Sequence, residues 1–178
     1  HQVNSHGFAA DFETSPTLLT KLDSYDGPDP GNSRIQSIDT TGFTAMVHEE
    51  QSWDPEQFHT TESLSYLAFG GNSGILKGTT FSTRQQFAEF GSANLNHQWQ
   101  SIELSLDYNN PIVIASDPTF NGGDPVAVRL RNIGSDSFEI KLQEPNYKDG
   151  YHCNETVSYI VIEEGSWQLA DGSILEAG

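Results

Sequence analysis

The chain has 178 residues, 25 of them acidic and 8 basic, for a formal net charge of −17. So acidic a surface repels nucleic acid and anionic lipid, which both need a cationic footprint, and no stretch is apolar and long enough to cross a bilayer as a helix. The lone Cys153 leaves no intrachain disulfide and no thiolate metal cage. In chain order, Thr17–Leu22, Phe43–Val47 and Leu64–Phe69 read as strands, and Ser82–Phe90 as one helical turn. Period-two alternation follows in Ile102–Tyr108, Val126–Arg131 and Phe138–Leu142. Pro111–Ala115 and Val157–Ile162 read as strands buried on both faces. Asn- and Gly-rich turns separate them, as at Asn121-Gly122-Gly123 and Asp171-Gly172-Ser173. About six short strands per copy of an internal repeat give an all-β fold of two tandem antiparallel β-sandwiches.

The repeat is the dominant feature. Pro16–Glu49 aligns without a gap on Pro111–Glu144, placing Asp26-Gly27-Pro28-Asp29-Pro30 on Asn121-Gly122-Gly123-Asp124-Pro125 and Arg34 on Arg129. After a two-residue deletion, His59-Thr60-Thr61-Glu62 falls on His152-Cys153-Asn154-Glu155. Upstream, His1-Gln2 matches His97-Gln98. A repeat of this length is a domain-sized unit, which sets expected boundaries at 1–78, a connector at 79–96, and 97–178. A chain that opens on His1 and holds its one methionine at Met46 reads as a processed or excised piece. Low Lys with abundant Ser, Thr, Asn and Gly favours a secreted, extracellular setting, and the charge suits a saline one.

Three residue sets survive in both copies. The Asx-Gly-x-Asp-Pro loops carry Asp26, Asp29, Asn121 and Asp124; glycine there would supply positive φ in a turn, or the carboxylates would meet a sugar hydroxyl or Ca²⁺. Arg34 and Arg129 lie on the polar face of a strand, bridging a carboxylate across the ladder or holding a sulfate or uronate. The third set is Glu49, Asp54, His59 and Glu62 against Glu144, Asp149, His152 and Glu155. It either forms an internal hydrogen-bond lock or binds a cation, with calcium the fit for the carboxylates. Trp53, Tyr147 and Tyr151 in the same loops offer faces for sugar stacking. No nucleophile elbow, phosphate loop or His-Glu-x-x-His occurs, so no enzyme activity is expected. An N-terminal His1 leaves a copper-dependent polysaccharide oxidase as a lesser alternative.

Trp99-x-x-Ile102, Tyr108-x-x-Pro111-Ile112-Val113, Arg129-x-Arg131-Asn132-Ile133 and Ser137-Phe138-Glu139-Ile140 resemble the H-type lectin domain. The resemblance implies a six-stranded antiparallel sandwich, often trimeric, that binds galactose-type sugars. The likeness is closer to bacterial tandem modules in large secreted proteins and polysaccharide-degrading enzymes. The first copy departs at Val3, Gln36 and Gly70, so the second should hold the stronger site. The resulting expectation is a non-catalytic carbohydrate-binding tandem module of a secreted protein. The alternative is a subunit of an extracellular filament or sheath, a homo-oligomer with calcium-bridged contacts. Candidate sugar ligands are Tyr147, Asp149, Tyr151, His152, Glu155, Arg129, Asn121 and Asp124. In the first copy they are Trp53, Asp54, His59, Glu62, Arg34, Asp26 and Asp29. Glu49, Asp54, Glu62, Glu144, Asp149 and Glu155 are the candidate calcium ligands.

Overall fold

Strand pairing follows the repeat. The structure, a computed structural model, describes residues 2–52, 58–80 and 83–178. The first copy contributes β1 (Asn4–Gly7), β2 (Thr17–Leu22), β3 (Gly31–Ile38), β4 (Gly42–Glu49), β5 (Leu64–Phe69), β6 (Gly74–Thr80) and β7 (Thr83–Leu95). The second contributes β8 (Gln100–Glu103), β9 (Pro111–Ala115), β10 (Ala127–Arg131), β11 (Ser137–Gln143), β12 (Glu155–Glu163), β13 (Gly165–Gln168) and β14 (Ile174–Ala177). All named pairs are antiparallel, and the described residues contain no helix.

Sheet β1-β4-β3 faces the ribbon β2-β5 across a core of Leu18, Ile35, Phe43 and Ala45. Its counterpart β8-β11-β10 covers Phe138, Ile140, Leu142, Val157 and Val161. The alternation read in β11 is realised, with Phe138, Ile140 and Leu142 buried and their neighbours half-exposed. Of the strand aromatics, Phe43 and Phe138 are buried and Tyr159 is half-buried. Tyr66 is exposed but packs edge-on against Phe43.

A third core, Leu19, Phe87, Ala88, Phe90, Ile160, Ile162 and Trp167, belongs to neither copy alone. It is built on a six-stranded sheet in the order β14-β13-β6-β7-β12-β9, drawn from both copies.

The expected helical turn at Ser82–Phe90 is corrected over its described residues, Ser82 lying outside them. Thr83–Leu95 is the longest strand of the structure, pairing with β6 on one edge and β12 on the other. Phe87 and Phe90, three apart, mimic one helical face. In the strand a register shift opposite Leu76 and Lys77 sits at Phe87, so Phe87 stacks on Trp167 while Phe90 stacks on Phe69. Two hydrogen-bonded edges and burial of both faces outweigh local propensity.

Candidate functional site: the junction of the two copies

The Glu-His loops close on themselves. In the first copy, His59 Nδ1 lies 2.7 Å from Glu49 and Nε2 lies 3.0 Å from Glu62. Glu62 also accepts from the Ser24 hydroxyl and from the Asp26 and Gly27 amides. These bonds, led by that of Ser24, bring its pKa down to about 2. The second copy repeats the device: His152 Nδ1 lies 2.9 Å from Glu144 and Nε2 lies 3.3 Å from Glu155. Burial alone would lower the His152 pKa, but hydrogen bonds to Glu155 and Glu144 raise it above its ordinary value. Both ring nitrogens thus meet carboxylates, the arrangement of an imidazolium clamped between two anions.

This is the internal lock of the sequence reading. The imidazole occupies the space between the carboxylates Glu49 and Glu62, and between Glu144 and Glu155, four of the candidate ligands of the calcium alternative. His152, Cys153 and Glu155 come close enough to share an ion, but His152 has no ring nitrogen left over. Asp149 lies on the surface and accepts only from the Tyr151 amide among the described residues. Trp53, Asp54 and His1, the residue of the copper alternative, lie outside the described residues.

The glycines of the Asx-Gly loops serve a purpose other than positive φ, since neither Gly27 nor Gly122 has it. A Cβ on Gly27 would stand 2.8 Å from the His59 ring, and one on Gly122 3.0 Å from the His152 ring and 2.9 Å from Cys153 Sγ. The loop needs glycine so that its backbone can lie against the imidazole and donate to Glu62 or Glu155.

The two arginines differ in fate. Arg34, expected on a polar face, is completely buried. Its Nη2 donates to Glu155 of the other copy at 2.8 Å and its Nε to the Thr119 carbonyl at 2.8 Å. The Gly122 and Asp124 carbonyls stand at 3.4 Å and the Phe120 ring 5.1 Å beneath the guanidinium. Burial lowers its pKa and the Glu155 charge opposes that fall. Arg129 instead lies exposed and donates to Gln143.

Around Arg34 the copies are sewn together by Ser33 Oγ to Asp117 at 2.6 Å, the Thr20 amide to Ser116 Oγ at 2.9 Å, and Asn32 Nδ2 to the Val126 carbonyl at 3.2 Å. Burial raises the Asp117 pKa despite the Ser33 bonds. Lys148 pairs with Asp124 and donates to Gln51, whose amide donates to the Tyr147 hydroxyl.

Beside this seam opens a cleft of about 510 Å³, walled by Asn32, His48 and Glu50 from one copy and Arg129, Asn146 and Tyr147 from the other. His48 is buried, and its Nε2 has no hydrogen-bond partner among the described residues. Burial and the Arg34 charge bring its pKa down to about 4, so it is neutral at pH 7.

Of the candidate sugar ligands, the structure gathers Tyr147, Arg129 and Arg34 at the cleft. It buries His59 and His152 in the locks and leaves Tyr151 exposed against His97. Asn121 and Asp124 are committed to the seam, through Glu155 and Lys148, while Asp26 gives its amide to Glu62 and Asp29 lies half-buried outside the cleft. His48, Asn32 and Asn146 escaped sequence reasoning because the repeat puts Gln143 and Ala127 opposite the first two. A site between copies cannot show itself as a residue kept by both.

No family model matches the chain, and no solved structure matches it. A curated relative is Halomucin of Haloquadratum walsbyi (strain DSM 16790 / HBSQ001), 30% identical over an alignment of 144 residues, with 79% of this chain covered. The match spans 2% of the length of Halomucin.

Proposed function

We propose that the chain is a non-catalytic, carbohydrate-binding tandem module of a secreted protein, and that it binds an acidic or sulfated polysaccharide in the cleft between its copies. The observation that carries this reading is the cleft itself: an aromatic wall at Tyr147, a guanidinium at Arg129 whose Nη atoms make no hydrogen bond among the described residues, and amides at Asn32 and Asn146. Sugar sites combine these parts, with a ring face for the apolar side of the pyranose and a few polar groups to fix its orientation. A guanidinium fork suits a uronate or a sulfate. Similarity to Halomucin, whose name joins salt and mucin, agrees with a saline extracellular setting, as does the charge of −17. The H-type lectin likeness supports the same class of ligand.

An array of acidic and neutral polysaccharides tests the reading. Binding to uronate- or sulfate-bearing glycans that is lost in Tyr147→Ala and Arg129→Ala is the expected result. No binding on any glycan at low or high salt would overturn it.

A further inference from the structure

The contact between the two copies is heterologous: each side uses different residues. The first copy gives Leu19 and Arg34; the second receives with Phe120, Glu155 and Ile160. Because the copies share one fold, each also carries the half of the contact that the other uses, and those halves are bare.

On the giving side, Leu19 is 6% exposed, whereas its repeat equivalent Ile114 is 49% exposed. Arg34 is fully buried and Arg129 lies open. On the receiving side, Ile160 is 2% exposed and its equivalent Leu67 is 60%. Phe120 lies half-buried beneath Arg34, while its equivalent Tyr25 is 81% exposed. Glu62 holds the Ser24, Asp26, Gly27 and His59 bonds that mirror those of Glu155, and among the described residues lacks only the arginine.

The strand edges agree. β12 is flanked by β9 and by β7, which runs on from the giving copy. β5, the equivalent of β12, is flanked among the described residues by β2 alone. Four features of the first copy, Tyr25, Glu62, Leu67 and the edge of β5, therefore lack, among the described residues, the partners that their equivalents have: a guanidinium over Tyr25 and Glu62, an apolar side chain on Leu67, and a strand beside β5.

We propose that the Tyr25, Glu62 and Leu67 face together with the free edge of β5 is the docking surface for a further module of this same kind, joined ahead in one continuous chain. That module would supply an arginine at the Arg34 position and a strand at the β7 position. The occupant is named by what already fills the equivalent surface: β7 leads directly from Leu95 through Asn96 to His97, the repeat equivalent of His1. The relative of which this match spans 2% has length enough for many such units. Repeated contacts of this type build an open one-dimensional array, stabilised by nearest-neighbour interfaces. In this array the links are arginine–glutamate pairs and shared strands.

The test joins residues 1–96 ahead of His1 of the full chain to give three units, and follows amide exchange in Leu64–Phe69. Exchange of the β5 amides that point away from β2 slows roughly tenfold or more, towards the rates of β12, because those amides acquire partners. Arg34→Ala in the added unit alone removes part of that protection. Unchanged β5 exchange in a folded three-unit chain overturns the proposal. So does β5 protection that rises with concentration in the two-unit chain alone, which would assign the face to a separate copy. Should the longer chain fail to fold, a peptide of Thr83–Leu95 titrated into the two-unit chain gives the second reading. Saturable protection of β5 supports the proposal, and none at millimolar peptide overturns it.

Discussion

Replacing Arg34 by alanine should be far more damaging than replacing its repeat equivalent Arg129. Arg34 has no exposed surface and spans the seam, bonded to Glu155, to the Thr119 carbonyl and, at longer range, to the carbonyls of Gly122 and Asp124. Removing one partner of a buried ion pair costs about 3–5 kcal/mol, and the ring of Phe120 loses a cation–π contact of roughly 0.5–2 kcal/mol. Against this, Glu155 keeps the Thr119 hydroxyl, the Asn121 and Gly122 amides and His152, so its charge is not abandoned. The net loss should therefore stay near 3–5 kcal/mol. In a chain of this length that lowers Tm by about 6–20 °C. Arg129→Ala removes one exposed bond to Gln143 and should stay within about 0.5 kcal/mol. Thermal and denaturant unfolding of both variants beside the parent measure the contrast. Equal effects, or an Arg34→Ala loss below about 1 kcal/mol, would refute the seam as the element that holds the copies together.

The pH dependence has two opposite signs. Glu62 has its pKa lowered from 4.5 to about 2, so its contribution is complete above about pH 4.5 and is lost as pH falls towards 2; Glu62→Gln should flatten acid unfolding in that window. The folded-state pKa of His152 lies above 6.5, so its charged contribution is full below that pH and fades as pH rises through the folded value. The stability gap between parent and His152→Gln should accordingly narrow on the alkaline side in a series of denaturant titrations. Gly122→Ala forces a Cβ to 2.9 Å from Cys153 Sγ and 3.0 Å from the His152 ring and should cost about 1–3 kcal/mol; a neutral result would mean that the loop is not packed on the imidazole. Ile160→Ala should cost roughly 2–5 kcal/mol and Leu67→Ala at its equivalent position under about 0.5 kcal/mol, read from the same unfolding curves.

The all-β class was legible because alternation in segments such as Phe138–Leu142 reports a sheet with one buried face. The lock was legible in part: Glu, His and Glu recur at matched positions in both loops, and each set closes on its own imidazole. What the repeat concealed was everything that breaks its symmetry. Arg34 and Arg129 look alike in sequence, and only the arrival of the second copy buries one of them. His48, which aligns with Gln143, carries no sign of a cleft until the copies meet. Thr83–Leu95 misled for a related reason. Its conformation is set by two partner strands distant in sequence, whereas its phenylalanines, three apart, mimic the local pattern of a helix.

The stretch that repeats and the stretch that folds are out of phase. Counted from one histidine to the next, a unit ends after Leu95 and Asn96, yet β7 completes the sheet of the unit that follows. A fragment cut at His97 would strip β12 of β7, one of its two neighbours, and lay Ile160 open to water. One that starts at Thr83 keeps the strand and the contacts of Phe90 with it. Duplication in the histidine frame therefore copies an incomplete body each time, and every added copy completes the sheet of the one already there.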